Sequence, residues 1–200
     1  MIKIAINGFG RIGRLCFRET FESDEFEVVA INDLGDSHTL AHLLKYDTVQ
    51  KKYEKEIDYT EDSIIVNGKS IKVYRESDPS NLPWKELDVD VVFECTGFLT
   101  KKEDAYLHIK AGAKKVIISA PAKGDVKTIV YGVNENILDK DDEIISALGT
   151  TLLVAFYASV IATILGTLAA IGLKNLKKSP RKVIMQVNNL PMLNPVIITL

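Results

Sequence analysis

A glycine-rich turn near the amino terminus constrains the fold of this chain more than any other feature. Residues 8–13 read Gly-Phe-Gly-Arg-Ile-Gly, which has the pattern G-x-G-x-x-G. The turn follows a short β-branched run at residues 3–7 and precedes apolar residues at helical spacing, and a second apolar run at 26–31 ends at Asn32-Asp33. This order predicts strand, turn, helix and strand, the start of a doubly wound (Rossmann) α/β fold with a mostly parallel sheet.

Each residue type in this turn has a physical role at a dinucleotide site. Gly8 permits the tight turn, Gly10 lets the backbone approach a pyrophosphate, and Gly13 lets the helix pack closely on the strand. The first N–H groups of the helix have no partners within it and favour an anion. Asp33 lies twenty positions after Gly13, where a carboxylate accepts ribose hydroxyls and disfavours a 2′-phosphate, so NAD is expected rather than NADP. By itself the glycine pattern is compatible with an ordinary turn; the two strands and the acid favour the dinucleotide site.

The alternation of strands and helices continues to about residue 147. The sequence predicts a helix at 37–44 with Ser37 as its N-cap, a hairpin around Asn67-Gly68 with strands at 64–66 and 71–74, and a helix at 101–111. Further strands are expected at 89–95, 116–119, 128–131 and 144–146. Because ligands of doubly wound sheets bind beyond the carboxyl ends of the strands, Thr96, Gly97, Ser119 and Ala120 are expected to line a cofactor crevice.

Five groups of residues stand in order along this part of the chain: Asn7 to Arg14, Lys45-Tyr46-Asp47, Asp78-Pro79 with Trp84, Glu94 to Gly97, and 114–121. Together they resemble the amino-terminal cofactor domain of phosphorylating glyceraldehyde-3-phosphate dehydrogenase, a glycolytic oxidoreductase. The resemblance covers residues 1–147 and implies NAD as the cofactor. The expected cofactor-binding residues are Asn7, Gly8, Phe9, Gly10, Arg11, Ile12, Gly13, Asn32, Asp33, Ser77, Thr96, Gly97 and Ser119. Ser77 is a departure, because many relatives have arginine there.

The catalytic nucleophile that the resemblance implies is missing from this chain. After Ser146-Ala147 the family continues Ser-Cys-Thr-Thr-Asn-Cys, and Gly149 stands here in place of the first cysteine, whose thiolate attacks the aldehyde. Cys16 and Cys95 read as core cysteines and the three histidines as surface or packing residues. No catalytic residue and no metal-ligand set is therefore expected. Intact relatives form homotetramers, but much of that interface and the substrate domain belong to the half that is absent here.

Charge divides the chain sharply near residue 147. All 27 acidic residues precede residue 148, whereas residues 148–200 carry five basic residues and no acid. Residues 148–173 contain no charge, and as a helix they would span roughly 39 Å, enough to cross a bilayer with some tilt. A transmembrane helix is the expectation, and a buried helix of a soluble protein is the alternative. Small residues recur there every fourth position, which suits close helix packing or reflects an alanine-rich composition.

A basic flank at 174–182 follows the apolar run. It indicates a cytoplasmic loop beside a membrane; nucleic-acid binding is the alternative, but no aromatic residues are interleaved for base stacking. The segment 148–200 resembles part of the permease subunit of polyamine-type ABC transporters: one span, a basic loop and the start of a second apolar segment. This orientation would place the NAD-binding domain across the membrane from the cytoplasm, in conflict with the cytoplasmic location expected for it. We therefore expect two joined fragments, an inactive NAD-binding half and a permease-like piece, with a membrane-anchored fusion protein as the alternative.

Overall fold

The computed structural model describes residues 1–147 and Thr163. The chain divides into two units, Met1–Gly149 and Thr150–Leu200, and all elements described below belong to the first. The predicted span at 148–173, the basic loop and the second apolar segment lie outside the described residues, except for Thr163. Within the described part, no helix combines the length and the apolar character that crossing a bilayer requires.

The described residues form one nine-stranded sheet that is parallel except at one edge. The strands are β1 (Ile2–Asn7), β2 (Phe26–Asn32), β3 (Ile57–Tyr59), β4 (Ser63–Val66), β5 (Lys69–Tyr74), β6 (Val91–Glu94), β7 (Lys115–Ile118), β8 (Lys127–Ile129) and β9 (Ile144–Ala147). Their order across the sheet is β3-β4-β5-β2-β1-β6-β7-β9-β8. Among these strands, only the β3–β4 and β4–β5 pairs are antiparallel. The predicted mostly parallel α/β sheet is confirmed.

The first strand, β1, lies at the point where the order of the sheet reverses. The chain adds β2 on one side of β1 and later adds β6 on the other, and both pairings are parallel. The crossovers therefore diverge from β1, which opens a crevice at the carboxyl ends of these strands. The buried strand β1 serves both faces of the sheet, since Ile4 and Ile6 pack with Phe17 whereas Ala5 packs with Trp84.

Three helices and two short 3-10 turns complete residues 1–147. The helices are α1 (Arg11–Phe21), α2 (Ser37–Lys45) and α3 (Lys102–Lys110), and the turns are Pro79–Asn81 and Glu135–Ile137. The predicted N-cap of α2 is wrong by one residue: the Asp36 carboxylate accepts from the Thr39 N–H at 2.8 Å. Ser37 is instead the first helical residue, and its buried hydroxyl donates to the Glu61 carbonyl at 3.0 Å. An ionised acceptor with two oxygens competes well for the free N–H groups of a first turn.

The hairpin predicted around Asn67-Gly68 is confirmed. Asn67 has φ 48° and Gly68 has φ 80°, the left-handed conformation that a two-residue type I′ turn requires at both positions. Strand β4 pairs with β5 through this turn, and β3 adds a third strand to the hairpin. Sequence reasoning missed β3, because a three-residue strand with only Ile57 partly buried carries almost no periodic signal.

Candidate functional site

A cleft of about 380 Å³ lies at the carboxyl ends of β1, β2 and β6. This is the position at which doubly wound sheets bind their ligands. Seven of the residues predicted from the sequence line it: Asn7, Gly8, Gly10, Asn32, Asp33, Ser77 and Thr96. They come from separate stretches of the chain, and the reversal of strand order at β1 brings those stretches together.

The glycine turn forms one wall of the cleft, and each glycine meets a different surrounding. Gly8 has φ +88°, and a Cβ there would lie 2.7 Å from the Thr96 nitrogen. A Cβ on Gly13 would lie 2.1 Å from the Gly8 carbonyl oxygen, so α1 packs against the turn that precedes it. A Cβ on Gly10, by contrast, would meet no heavy atom within 4 Å. Two glycines therefore permit close packing, and Gly10 leaves space open on the side of the cleft.

The Asp33 carboxylate is held in place by backbone donors on both oxygens. The Phe9 N–H donates to Oδ2 at 2.7 Å, and the Gly35 N–H donates to Oδ1 at 2.8 Å. The first bond joins the end of β2 directly to the glycine turn. Because each carboxylate oxygen accepts more than one hydrogen bond, Asp33 keeps acceptor capacity for hydroxyl groups in the cleft that it lines.

Asn7 and Asn32 form the floor of the cleft, and their amides are hydrogen-bonded within the protein. Asn32 Nδ2 donates to Asn7 Oδ1 at 2.7 Å and to the Glu76 carbonyl at 2.9 Å. Asn32 Oδ1 in turn accepts from the Glu76 N–H at 2.9 Å. Both asparagines are buried. In the structure these amides join neighbouring strand ends by hydrogen bonds. The sequence suggests instead that they contact the ligand.

The other predicted residues do not line the cleft. Phe9 is buried in the core with its ring centroid 5.7 Å from that of Phe17. Arg11 and Ile12 are exposed on the first turn of α1, where their backbone N–H groups have no partner within the helix. Gly13 packs against the turn, while Gly97 and Ser119 follow β6 and β7 outside the lining set.

Six lining residues were missed by sequence reasoning: Leu34, Glu76, Pro79, Cys95, Phe98 and Leu99. Among them, Leu34 is 71% exposed and Phe98 is 87% exposed. Each directly follows a predicted strand end, at Asp33 and at Gly97. Large apolar residues that follow the strand ends of a crevice were a signal that could have found Leu34 and Phe98, because apolar surface exposed at such a position is available to a ligand.

Cys95 borders the cleft. Its contact with the Cys16 thiol and its burial raise the pKa of Cys95 well above its ordinary value. A thiol that remains protonated at neutral pH is a poor nucleophile. This environment disfavours a nucleophilic role for Cys95, and its interpretation as a packing residue stays a prediction. Both cysteines are free thiols.

Arg14 supports the glycine turn from the side of α1. Its Nη1 donates to the Phe9 carbonyl at 3.0 Å, and its Nη2 lies 3.8 Å from the Asp47 carboxylate. Burial lowers the pKa of Arg14, whereas the neighbouring Asp47 opposes that shift. The backbone N–H groups of Gln50 and Val49 in turn hold the pKa of Asp47 below its ordinary value. The turn thus has a second anchor besides Asp33.

Together the parallel sheet, the glycine turn and the carboxylate at the end of β2 define a dinucleotide-binding domain of the doubly wound class. Residues 2–102 match the family described as glyceraldehyde 3-phosphate dehydrogenase, NAD binding domain. The chain therefore belongs to the glyceraldehyde-3-phosphate dehydrogenase family through its NAD-binding domain, and NAD is the cofactor. The open side of Gly10 and the oriented Asp33 carboxylate fit such a group.

Relatives with curated descriptions agree with this assignment. The chain is 57% identical over 151 residues to a glyceraldehyde-3-phosphate dehydrogenase of Clostridium pasteurianum, covering 76% of this chain and 45% of that protein. It is 58% identical over 153 residues to the enzyme of the same name from Thermotoga maritima, covering 76% of this chain and 46% of that protein. The chain thus spans less than half the length of these relatives.

The different surroundings of Gly13 and Gly10 generate a paired prediction. Gly13→Ala places a methyl group against the Gly8 carbonyl, and we expect it to lower the free energy of unfolding by roughly 1–3 kcal/mol or more. Gly10→Ala meets no atom, and we expect a loss below about 1 kcal/mol, attributable to the N-cap position. Urea denaturation of the full chain measures both. Equal losses in the two variants would contradict the packing role of Gly13.

Proposed function

We propose that residues 1–147 bind NAD in the cleft without turning over substrate by themselves. The observation that carries this proposal is the Asp33 carboxylate, which the Phe9 N–H orients at the edge of a cleft bounded by Gly8 and Gly10. In this arrangement Asp33 accepts the ribose hydroxyls. The free N–H groups at the start of α1, which include those of Arg11 and Ile12, face the pyrophosphate.

The remaining walls suit the two ends of a dinucleotide. Leu34, Phe98 and Leu99 supply apolar surface in the cleft for a planar base, and Leu34 and Phe98 are exposed. Ser77 lies beside that surface and brings no positive charge, so a 2′-phosphate would meet the Asp33 carboxylate with no cation from this position to offset it. Thr96 closes the other wall, and we assign Gly97 and Ser119, beyond the ends of β6 and β7, to the far end of the bound cofactor.

The family's activity needs a group to attack an aldehyde, and the described residues place none at the cleft. Contact with Cys16 and burial raise the pKa of the Cys95 thiol, which disfavours the nucleophilic thiolate, and His108 is buried with both ring nitrogens hydrogen-bonded. In the sequence, Gly149 stands where the family's nucleophilic cysteine would be. We infer that this chain binds the cofactor of a dehydrogenase, in the cytoplasm where that cofactor is abundant, and does not perform the reaction alone. The homotetramer of intact relatives stays a prediction.

Removal of the Asp33 carboxylate tests the binding proposal. We expect Asp33→Ala to weaken NAD binding by the full chain roughly tenfold or more, because a hydrogen bond to a charged group contributes about 1.5–3 kcal/mol. The wild-type chain should also prefer NAD to NADP, and the variant should lose much of that preference. Isothermal titration calorimetry measures both. Asp24→Ala, which removes an exposed carboxylate beyond the opposite end of β2, is the matched control; equal NAD affinities for all three proteins would argue strongly against the site.

A spectrophotometric assay tests the absence of catalysis. With glyceraldehyde 3-phosphate, NAD and phosphate, we expect the full chain to produce no NADH above the protein-free rate, since no thiolate is available to form the covalent intermediate. A complete dehydrogenase of the family, assayed alongside, verifies the substrates. Measurable turnover that survives further purification would overturn this part of the proposal.

For residues 148–200 we propose a separate origin and a membrane location, resting on the uncharged run at 148–173. The basic flank alone would place residues 1–147 across the membrane from the cytoplasm, and we propose that the long amino-terminal domain overrides this charge preference. On this basis the full chain is a fusion of an NAD-binding domain with a permease-like segment. We expect it to remain in the membrane pellet after carbonate extraction. Release into the supernatant would remove the membrane interpretation, and a single long DNA read that lacks the join near codon 148 would remove the fusion itself.

A further inference from the structure

A buried glutamate lies directly beneath the cleft. Glu94 is the last residue of β6, and it is 1% exposed. Within residues 1–147 its only partner at ion-pair distance is His108, at 3.1 Å. A carboxylate removed from water needs either a cation or a full set of hydrogen-bond donors. Glu94 has a cation beside it only if His108 is protonated on both ring nitrogens.

The indole of Trp84 fixes the protonation state of His108. Trp84 Nε1, which can only donate, points at His108 Nδ1 at 3.0 Å, so Nδ1 must accept and carries no proton. His108 is therefore neutral, with its proton on Nε2, and donates to Glu94 Oε2. The contact between Glu94 and His108 is a hydrogen bond and not an ion pair.

Four donors surround the Glu94 carboxylate. Oε2 accepts from Asn7 Nδ2 at 2.6 Å as well as from His108. Oε1 accepts from the Thr96 N–H at 2.9 Å and from the Thr96 hydroxyl. Two of the four donors belong to Thr96, which lines the cleft, and one belongs to Asn7, which forms its floor.

The Thr96 hydroxyl connects Glu94 to the wall of the cleft at residues 96–99. While it donates to Glu94, its oxygen accepts from the Phe98 N–H at 3.2 Å. Gly97, between them, has φ +75°, so Thr96 and Phe98 are joined across a tight turn. The apolar surface that Phe98 and Leu99 give the cleft therefore has its position set from below, through Thr96, by a residue that does not face the cleft.

We propose that Glu94 is a positioning residue for cofactor binding, acting through the Thr96 hydroxyl to hold the wall at 96–99 against the Asn7 floor. This inference rests on the proposed NAD site. Glu94→Gln tests it closely, because the amide keeps the shape but adds N–H groups. On either side of the side chain those groups meet a donor that cannot reverse: the Thr96 backbone N–H on one, and the Nε2–H of the Trp84-fixed His108 on the other.

The test is a double-mutant cycle on NAD affinity, measured by calorimetry on the full chain. We expect Glu94→Gln to weaken NAD binding at least about fivefold, the lower range for an unsatisfied buried partner. Thr96→Val should weaken it similarly. The double variant should bind NAD no more weakly than whichever single variant has the lower NAD affinity, because both changes break the same connection from Glu94 through Thr96. The control is Thr20→Val, which removes another buried threonine hydroxyl, bonded to the Cys16 carbonyl; it should lower stability and leave NAD affinity within about twofold.

The outcomes separate a positioning role from a purely structural one. If the Glu94→Gln variant binds NAD with the affinity of the wild type, the inference is wrong and the proposed site still stands. The inference also fails if the losses of the two single variants multiply in the double variant, because Glu94 would then not act through Thr96. If circular dichroism shows Glu94→Gln unfolded, the same cycle is run with Glu94→Asp, which keeps the charge but is too short to reach both Asn7 and Thr96. Absence of NAD binding by the wild-type chain would overturn the proposed function and this inference together.

Discussion

The whole proposed cofactor site depends on how closely α1 approaches the end of β1. Only hydrogen fits at Gly13, where a side chain would collide with the Gly8 carbonyl, and only a residue with positive φ and no Cβ fits at Gly8 against Thr96. These two contacts start α1 immediately after the strand, so its free N–H groups open on the crevice between β2 and β6. The Asp33 bond to Phe9 N–H is available only because the turn lies there. A wider turn would separate the carboxylate from the anion-binding end of the helix.

The floor of the proposed site is polar, and hydrogen bonds among its buried side chains offset the cost of burying them. The Glu94 carboxylate is tolerated at 1% exposure because four donors bond its two oxygens, with His108 kept neutral by Trp84. An apolar floor would pack equally well but would leave the ends of three strands without fixed lateral ties. Directional bonds among Asn7, Asn32 and Glu94 instead set the spacing of the strand ends. The cleft therefore has a defined width before any ligand arrives.

The strong local patterns in the sequence predicted most of the fold. Apolar runs and the Asn67-Gly68 turn indicated the strands and the hairpin, because period and turn chemistry are local properties. Features that depend on tertiary contacts were not predictable from the sequence. Asp36, and not Ser37, caps α2, and β3 exists only through its pairing with β4. At the site, the glycines and Asp33 follow from motif spacing. The inward-turned amides of Asn7 and Asn32 do not, because whether an amide faces ligand or protein depends on Glu76 and Glu94, which are distant in sequence.

All the described residues that line the cleft fall between Asn7 and Leu99, in the first half of the chain. The last two strands, β9 and β8, are added at the far edge of the sheet and contribute nothing to this lining. The described lining of the proposed cofactor cleft is therefore assembled by the first half of the chain. A substitution on β8 or β9 alters an edge of the sheet that is remote from this lining. The pocket is thus insulated from sequence changes at that edge, and the two can vary independently.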